Sequence, residues 1–191
     1  MKKRKLSPLL VIGAVLLAGS LCLLAVSQIS ASVSAQKSQR LVAKINDILP
    51  DRTQGTPGIY PDNHMPVLEV DGADYVALLD VPAFGVTLPV ADQWDQNKSS
   101  RFWGSAYDNT LVIGGKDYSG QFDFCDKIED GAFVTVTDMT GARFTYTVSR
   151  VDRAKHAQTQ WLLDENCDLT LFCLDMLSSE YIAVRCLSAY K

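Results

Sequence analysis

The 191-residue chain reads as a mainly β protein, a closed barrel or sandwich, carried behind an apolar N-terminal segment. Three observations predict this. Short runs rich in Val, Ile, Thr, Tyr and Phe recur from Tyr75 to Leu187, broken by Gly, Pro and Asp turns. Helical spacing within that region is confined to two short stretches, Phe122 to Lys127 and part of Gln158 to Glu165. The composition, 47% apolar and 21% charged, fits one globular domain with an appendage. A net charge of −4, with four of the 18 basic residues inside the first five positions, argues against a nucleic-acid partner, which needs a basic surface.

The chain opens with Lys2, Lys3, Arg4 and Lys5 after Met1, and the apolar run from Leu6 to Val26 holds no charged residue. About 20 residues, at about 1.5 Å rise each, cross the roughly 30 Å hydrocarbon core of a bilayer. The expectation is a cytoplasmic basic tail over 1–5 and a transmembrane signal-anchor over 6–29. The positive-inside rule then puts the remainder on the extracellular side of the cell membrane. A cleaved signal peptide is the competing reading, with Ile29-Ser30-Ala31 and Val33-Ser34-Ala35 as candidate cleavage sites. The run is longer than the ~7–15 apolar residues usual in such peptides. Cys22 lacks the small residue ahead of it that would mark a lipoprotein.

Over 34–50, Leu41, Val42, Ile45, Ile48 and Leu49 fall at helical spacing, with Lys37, Arg40, Lys44 and Asp47 on the other side. Pro50 ends the helix, having no N–H to give and a ring that clashes with the preceding turn. The helix is expected to pack on the domain; a stalk is the alternative. Residues 51–66, with Gly55, Pro57, Gly58, Pro61 and Pro66, read as a linker without regular structure. His64 lies in it, and His156 is the only other histidine. Neither has acidic or cysteine neighbours at metal-ligand spacing, so no metal and no cofactor is expected.

The β region occupies 67–191. Strands are expected over 75–81, ahead of Pro82, and over 86–90 after a turn at Gly85. Another, over 110–113, runs into Gly114 and Gly115. Residues 133–137 and 143–148 flank Asp138-Met139-Thr140-Gly141 as a hairpin, and 169–174 and 181–187 form the last pair. Seven or eight short strands with turns between them suit a closed barrel or sandwich.

In order, these segments resemble a sortase, most of all the class B-like branch, over roughly residues 66–190. Asp74 to Pro82 followed by Gly85 to Val90 is similar to the family's opening strands. Thr110 to Phe122 resembles the segment that carries Gly-His-Asn and then Phe. Asp168 to Phe172 and Val184-Arg185-Cys186 resemble the last two strands. The resemblance implies an eight-stranded barrel and a membrane-anchored cysteine transpeptidase. In such an enzyme a cysteine forms an acyl-enzyme, a histidine moves the proton and an arginine steadies the oxyanion.

Each of those positions holds something else here. The histidine position falls on Lys116, whose ordinary pKa near 10.4 suits proton shuttling at neutral pH poorly. The family's Thr-Leu-x-Thr-Cys becomes Thr170-Leu171-Phe172-Cys173-Leu174, so the nucleophile position falls on Leu174 and the thiol comes one residue early. On a strand, one residue reverses the facing. Thr170, Phe172 and Leu174 are then expected on the groove face, with Leu169, Leu171 and Cys173 in the core. A β-bulge before Cys173 would undo this. The arginine position falls on Tyr181; Arg185 shares its parity but lies four residues on, about 13 Å at ~3.3 Å per residue. Its plain reading is a surface or ion-paired arginine.

The expectation is a catalytically degenerate sortase-like protein that binds a surface-protein or sorting-signal peptide, or an active sortase, in cell-surface protein anchoring. The alternative is an active transpeptidase with Cys173 as nucleophile, supported by Arg185 and by Lys116 or His156. Cys125, Cys167, Cys173 and Cys186 permit three disulfide pairings, and nothing in the sequence chooses among bridges and free thiols. Trp94, Phe102, Trp103 and Tyr107 read as core or rim packing, with a partner surface as the functional alternative. Asp126, Glu129 and Asp130 are expected in solvent.

Overall fold

A computed structural model describes residues 13, 16, 17, 19, 20, 36–51, 53–55, 64–156, 158–175 and 178–190. The signal-anchor expected over 6–29 lies almost wholly outside them, its five described residues being helical. Among the described residues no helix is long and apolar enough to cross a membrane.

Helix α1 covers 36–48, as the periodicity predicts, and β1 (Thr53–Gln54) follows. β1 corrects the reading of 51–66 as lacking regular structure, for it pairs in parallel with the strand that begins at Ala142. The linker residues 56–63 fall outside the description. Then come β2 (Leu68–Val70), β3 (Ala73–Val81), a 3-10 turn (Pro82–Phe84), β4 (Val86–Ala91), β5 (Ser100–Trp103), β6 (Leu111–Lys116), β7 (Phe133–Asp138) and β8 (Ala142–Ala154). The chain ends with helix α2 (Thr159–Leu162), β9 (Leu169–Asp175) and β10 (Glu180–Ser188).

Eight of these strands close on themselves. β8 bonds to β10, β10 to β9, β9 to β6, β6 to β5, β5 to β4, β4 to β3, β3 to β7 and β7 back to β8. Closure leaves no free edge among the eight. β1 and β2 are short additions on β8 and β3. Apart from the register shift at Tyr75/Ala77 in β3, the strands alternate inward and outward residues, and the inward set, with Phe122 from the β6–β7 connection, forms one core that includes Val76, Leu79, Val90, Ile113, Val136, Leu171 and Val184.

Two predicted elements differ. Residues 122–127 make successive turns rather than a regular helix: the N–H groups of Cys125 and Lys127 donate to carbonyls three residues back, at Phe122 and Phe124, while Phe122, Phe124, Cys125 and Ile128 all reach the core. β6 extends beyond the predicted 110–113 through Gly114 and Gly115 to Lys116. β5, within the aromatic-rich region, has no counterpart among the predicted strands; only four residues long, it lacks a readable alternation.

Candidate functional site

Three central strands build the site. β6 runs parallel to β9, and β9 antiparallel to β10, each pairing without a register shift. Residues therefore stand in straight rows across the three. The rows Leu111–Leu169–Cys186, Ile113–Leu171–Val184 and Gly115–Cys173–Ile182 alternate with Val112–Thr170–Arg185, Gly114–Phe172–Ala183 and Lys116–Leu174–Tyr181. The first three rows point into the barrel core. The last three point outward, where Val112, Phe172 and Ala183 form a second apolar cluster with Leu162.

Lys116, Leu174 and Tyr181, far apart in the chain, are thus neighbours in one outward row at the ends of their strands. Leu174 is 38% exposed, whereas Cys173 beside it is 0% exposed. Lys116 and Tyr181 are half-buried, and the Lys116 ammonium lies 5.1 Å from the centre of the Tyr118 ring. No bulge intervenes before Cys173, whose side chain lies in the same core as Cys125. Burial, and then the neighbouring Cys173 thiol, push the Cys125 thiol well above its ordinary pKa. All four cysteines of the barrel are buried free thiols.

Arg185 is neither a surface arginine nor part of the Lys116 row. Only 1% exposed, it lies beneath α2 on the outer face. Its guanidinium donates to the carbonyl oxygens of Trp161 and Leu162 (3.0 Å for Leu162), to Thr170 Oγ1 at 3.1 Å and to Asp152 Oδ2 at 3.1 Å. The Trp161 ring lies 4.9 Å away. Five donors in a planar fork suit this set of acceptors, which a lysine would not satisfy. Arg185 therefore pins the β8–β9 connection to the barrel. Asp164 of the same connection pairs with Arg150. The Asn166 N–H, its amide, Arg150 and Arg185 together hold the Asp164 carboxyl below its ordinary pKa against the opposing effect of burial.

Between the Lys116 and Arg185 rows, aromatic rings cover the floor. Trp94 stacks on Phe172 with centroids 5.4 Å apart, and Phe102 meets both edge-on. Gly114 makes room for them: a Cβ there would lie 2.5 Å from the Phe172 ring and 2.6 Å from Trp94. Gly115 does the same on the inner face, where a Cβ would lie 2.4 Å from Phe122. Past the rings, at the opposite end from Lys116, a cavity of about 410 Å³ opens between Trp103, Asp108, Val112, Leu163 and Thr170.

Of the other candidates, His64 and His156 are exposed and stand in none of the site rows, His64 lining a cavity with Trp94, Phe102 and Trp103. Among the described residues no three His, Cys, Asp or Glu side chains stand together as a metal group. Tyr107 is buried, with its ring edge-on to Phe144 and its hydroxyl donating to Asp138, while Trp103 remains 57% exposed. Asp126, Glu129 and Asp130 are exposed. The aromatic floor and the Arg185 pin were not legible beforehand: both depend on which residues the register brings together. The Gly114-Gly115 pair was the one sequence signal for the rings, since a Cβ at either position would meet one.

No family model matches the chain, and no curated protein sequence matches it. Solved structures do. The chain resembles sortase C1 from Streptococcus agalactiae at 18% identity over 65% of this chain and 72% of that one, with a TM-score of 0.55. It resembles sortase A from Corynebacterium diphtheriae at 16% identity over 84% and 85%, with a TM-score of 0.54. A third is sortase C from Clostridium perfringens SM101, at 17% identity over 68% and 78%, with a TM-score of 0.53. Clostridium perfringens sortase C is also matched as a structure with the C-terminal cell wall sorting motif, at a TM-score of 0.50. The chain has a sortase-like fold.

Proposed function

We propose that this is a sortase-like module, anchored to the cell membrane with its barrel outside the cell. On this reading it has lost transpeptidase chemistry and serves as a binding or accessory protein in cell-surface protein anchoring. One observation carries the reading: the row where the resemblance puts histidine, cysteine and arginine holds Lys116, Leu174 and Tyr181, side by side in register. That row has an amine, an apolar side chain and a phenol, and no thiol within it can attack a peptide carbonyl. Cys173 points the other way, into a packed core that a substrate does not enter. Anchoring rests on the cationic cluster and charge-free run at the N-terminus. The outward face around Leu174, Tyr181 and Trp94, lying where the fold's enzymes work, is the proposed surface for an extended sorting-signal peptide or for an active sortase.

The test is incubation of the full chain with a set of fluorogenic sorting-signal peptides, followed by intact mass analysis. Neither cleavage nor a thioester is expected. Cleavage that disappears in Cys173→Ala would sink the proposal and establish the cysteine transpeptidase reading in its place.

A further inference from the structure

Helix α1 lays Leu41, Val42, Ile45 and Leu49 on Val70, Tyr75, Leu78, Ala91 and Met139. Beside it, bounded across the barrel by the β4–β5 connection, lies an open cavity of about 550 Å³, inside the ~300–1,000 Å³ range of ligand sites. Its floor is apolar, built from Leu41, Val70, Leu88 and Pro89. Its rim carries Lys37, Arg40, Lys44 and Lys98 against Asp71 and Asp95. Asp71 engages Lys44 at 2.7 Å, and Asp95 approaches Lys98 at 3.9 Å. Lys37 and Arg40 make no ion pair among the described residues. Ser99 also lines the cavity, 7% exposed, and its Oγ has no hydrogen-bond partner. Buried hydroxyls are nearly always paired, so an orphan at a cavity wall marks a place for an outside group.

We infer that this cavity binds the glycerophosphate end of an anionic phospholipid. The phosphate meets Lys37 and Arg40, the Ser99 hydroxyl donates to an ester or phosphate oxygen, and the first part of the acyl chain lies on the half-buried Leu41 and Ala73. Free phosphate would leave the apolar floor bare. A lipid source suits the place of α1 in the chain. Its first described residue, 36, follows the anchor expected over 6–29 by 7 positions, a reach of at most ~25 Å. The inference rests on the anchoring part of the proposed function and is independent of the catalytic part.

Native mass spectrometry of the full chain in neutral detergent tests it, with phosphatidylglycerol and phosphatidylcholine offered separately, each with and without excess inorganic phosphate. Phosphatidylglycerol is expected to be retained about tenfold better than phosphatidylcholine, with K37E/R40E abolishing the difference. Both residues are exposed, so that variant keeps its fold. S99A is expected to weaken retention several-fold; a hydroxyl with no ligand would leave retention unchanged on its removal. Equal retention of the two lipids, preference surviving K37E/R40E, unchanged retention in S99A, or full competition by inorganic phosphate overturns the site. Carbonate extraction of cell membranes separates this from the anchor. A chain retained in membranes that does not select phosphatidylglycerol sinks the cavity alone, and a chain released by carbonate that does select it sinks the anchor alone.

Discussion

Cys173 and Leu174 sit one residue apart and on opposite sides of a sheet, and that offset governs what the site can do. The inward position is fully buried and the outward one 38% exposed. In native protein a maleimide is therefore expected to leave Cys125, Cys167, Cys173 and Cys186 unmodified and to label Leu174→Cys rapidly. Labelling of Cys173 at a comparable rate, followed by mass mapping, would contradict the register. Arg185 illustrates the same scale differently. Replacing it by Met removes the donor for two carbonyls, a threonine and Asp152, and is expected to lower unfolding free energy by about 2–4 kcal/mol in urea titrations. Arg185→Lys should recover little of the loss, because one ammonium cannot span acceptors on both sides of a planar fork. A catalytic arginine exposed in a groove would show almost no stability effect on removal.

At the scale of the element, β6 and the β8–β9 connection shape the outer face. Gly114 and Gly115 allow rings to touch the strand on opposite sides. Gly114→Ala is expected to cost about 1–3 kcal/mol by overpacking and to disturb the Trp94–Phe172 stack, which tryptophan fluorescence reads directly. The β8–β9 connection is held by Arg185 and by the Arg150–Asp164 pair. The folded carboxyl of Asp164 titrates below its unfolded value near 3.9. Its stabilisation is thus complete above that value and disappears as pH falls through the lower, folded pKa. Urea midpoints of wild type and Asp164→Asn should differ at pH 6 and converge as pH drops below about 4. A gap that stays constant down to the most acidic pH would remove Asp164 from this role.

Across the whole molecule, closure of eight strands and docking of α1 make one body from locally weak signals. Ile45, fully buried between helix and barrel, is the helix's central contact. Truncating it in Ile45→Ala is expected to lower stability by about 2–4 kcal/mol, whereas a free stalk would tolerate it; chemical denaturation decides. Much of the barrel was legible because strand signals are local. Period-two alternation and turn residues located seven of the eight barrel strands and the parity of Cys173. β5 escaped because four residues carry too little pattern, and 122–127 was misread because apolar spacing alone does not tell a helical face from a string of turns. The sequence by itself determined that Cys173 and Leu174 face opposite ways, since alternation is a property of the strand alone, and the unbroken register of β9 decided that Cys173 takes the core. Only the tertiary structure decided that Lys116, Leu174 and Tyr181 share a row, that Arg185 is a buried pin and that rings roof Gly114. Each of these depends on register between strands distant in the chain, and register is set by how the barrel closes rather than by any one segment.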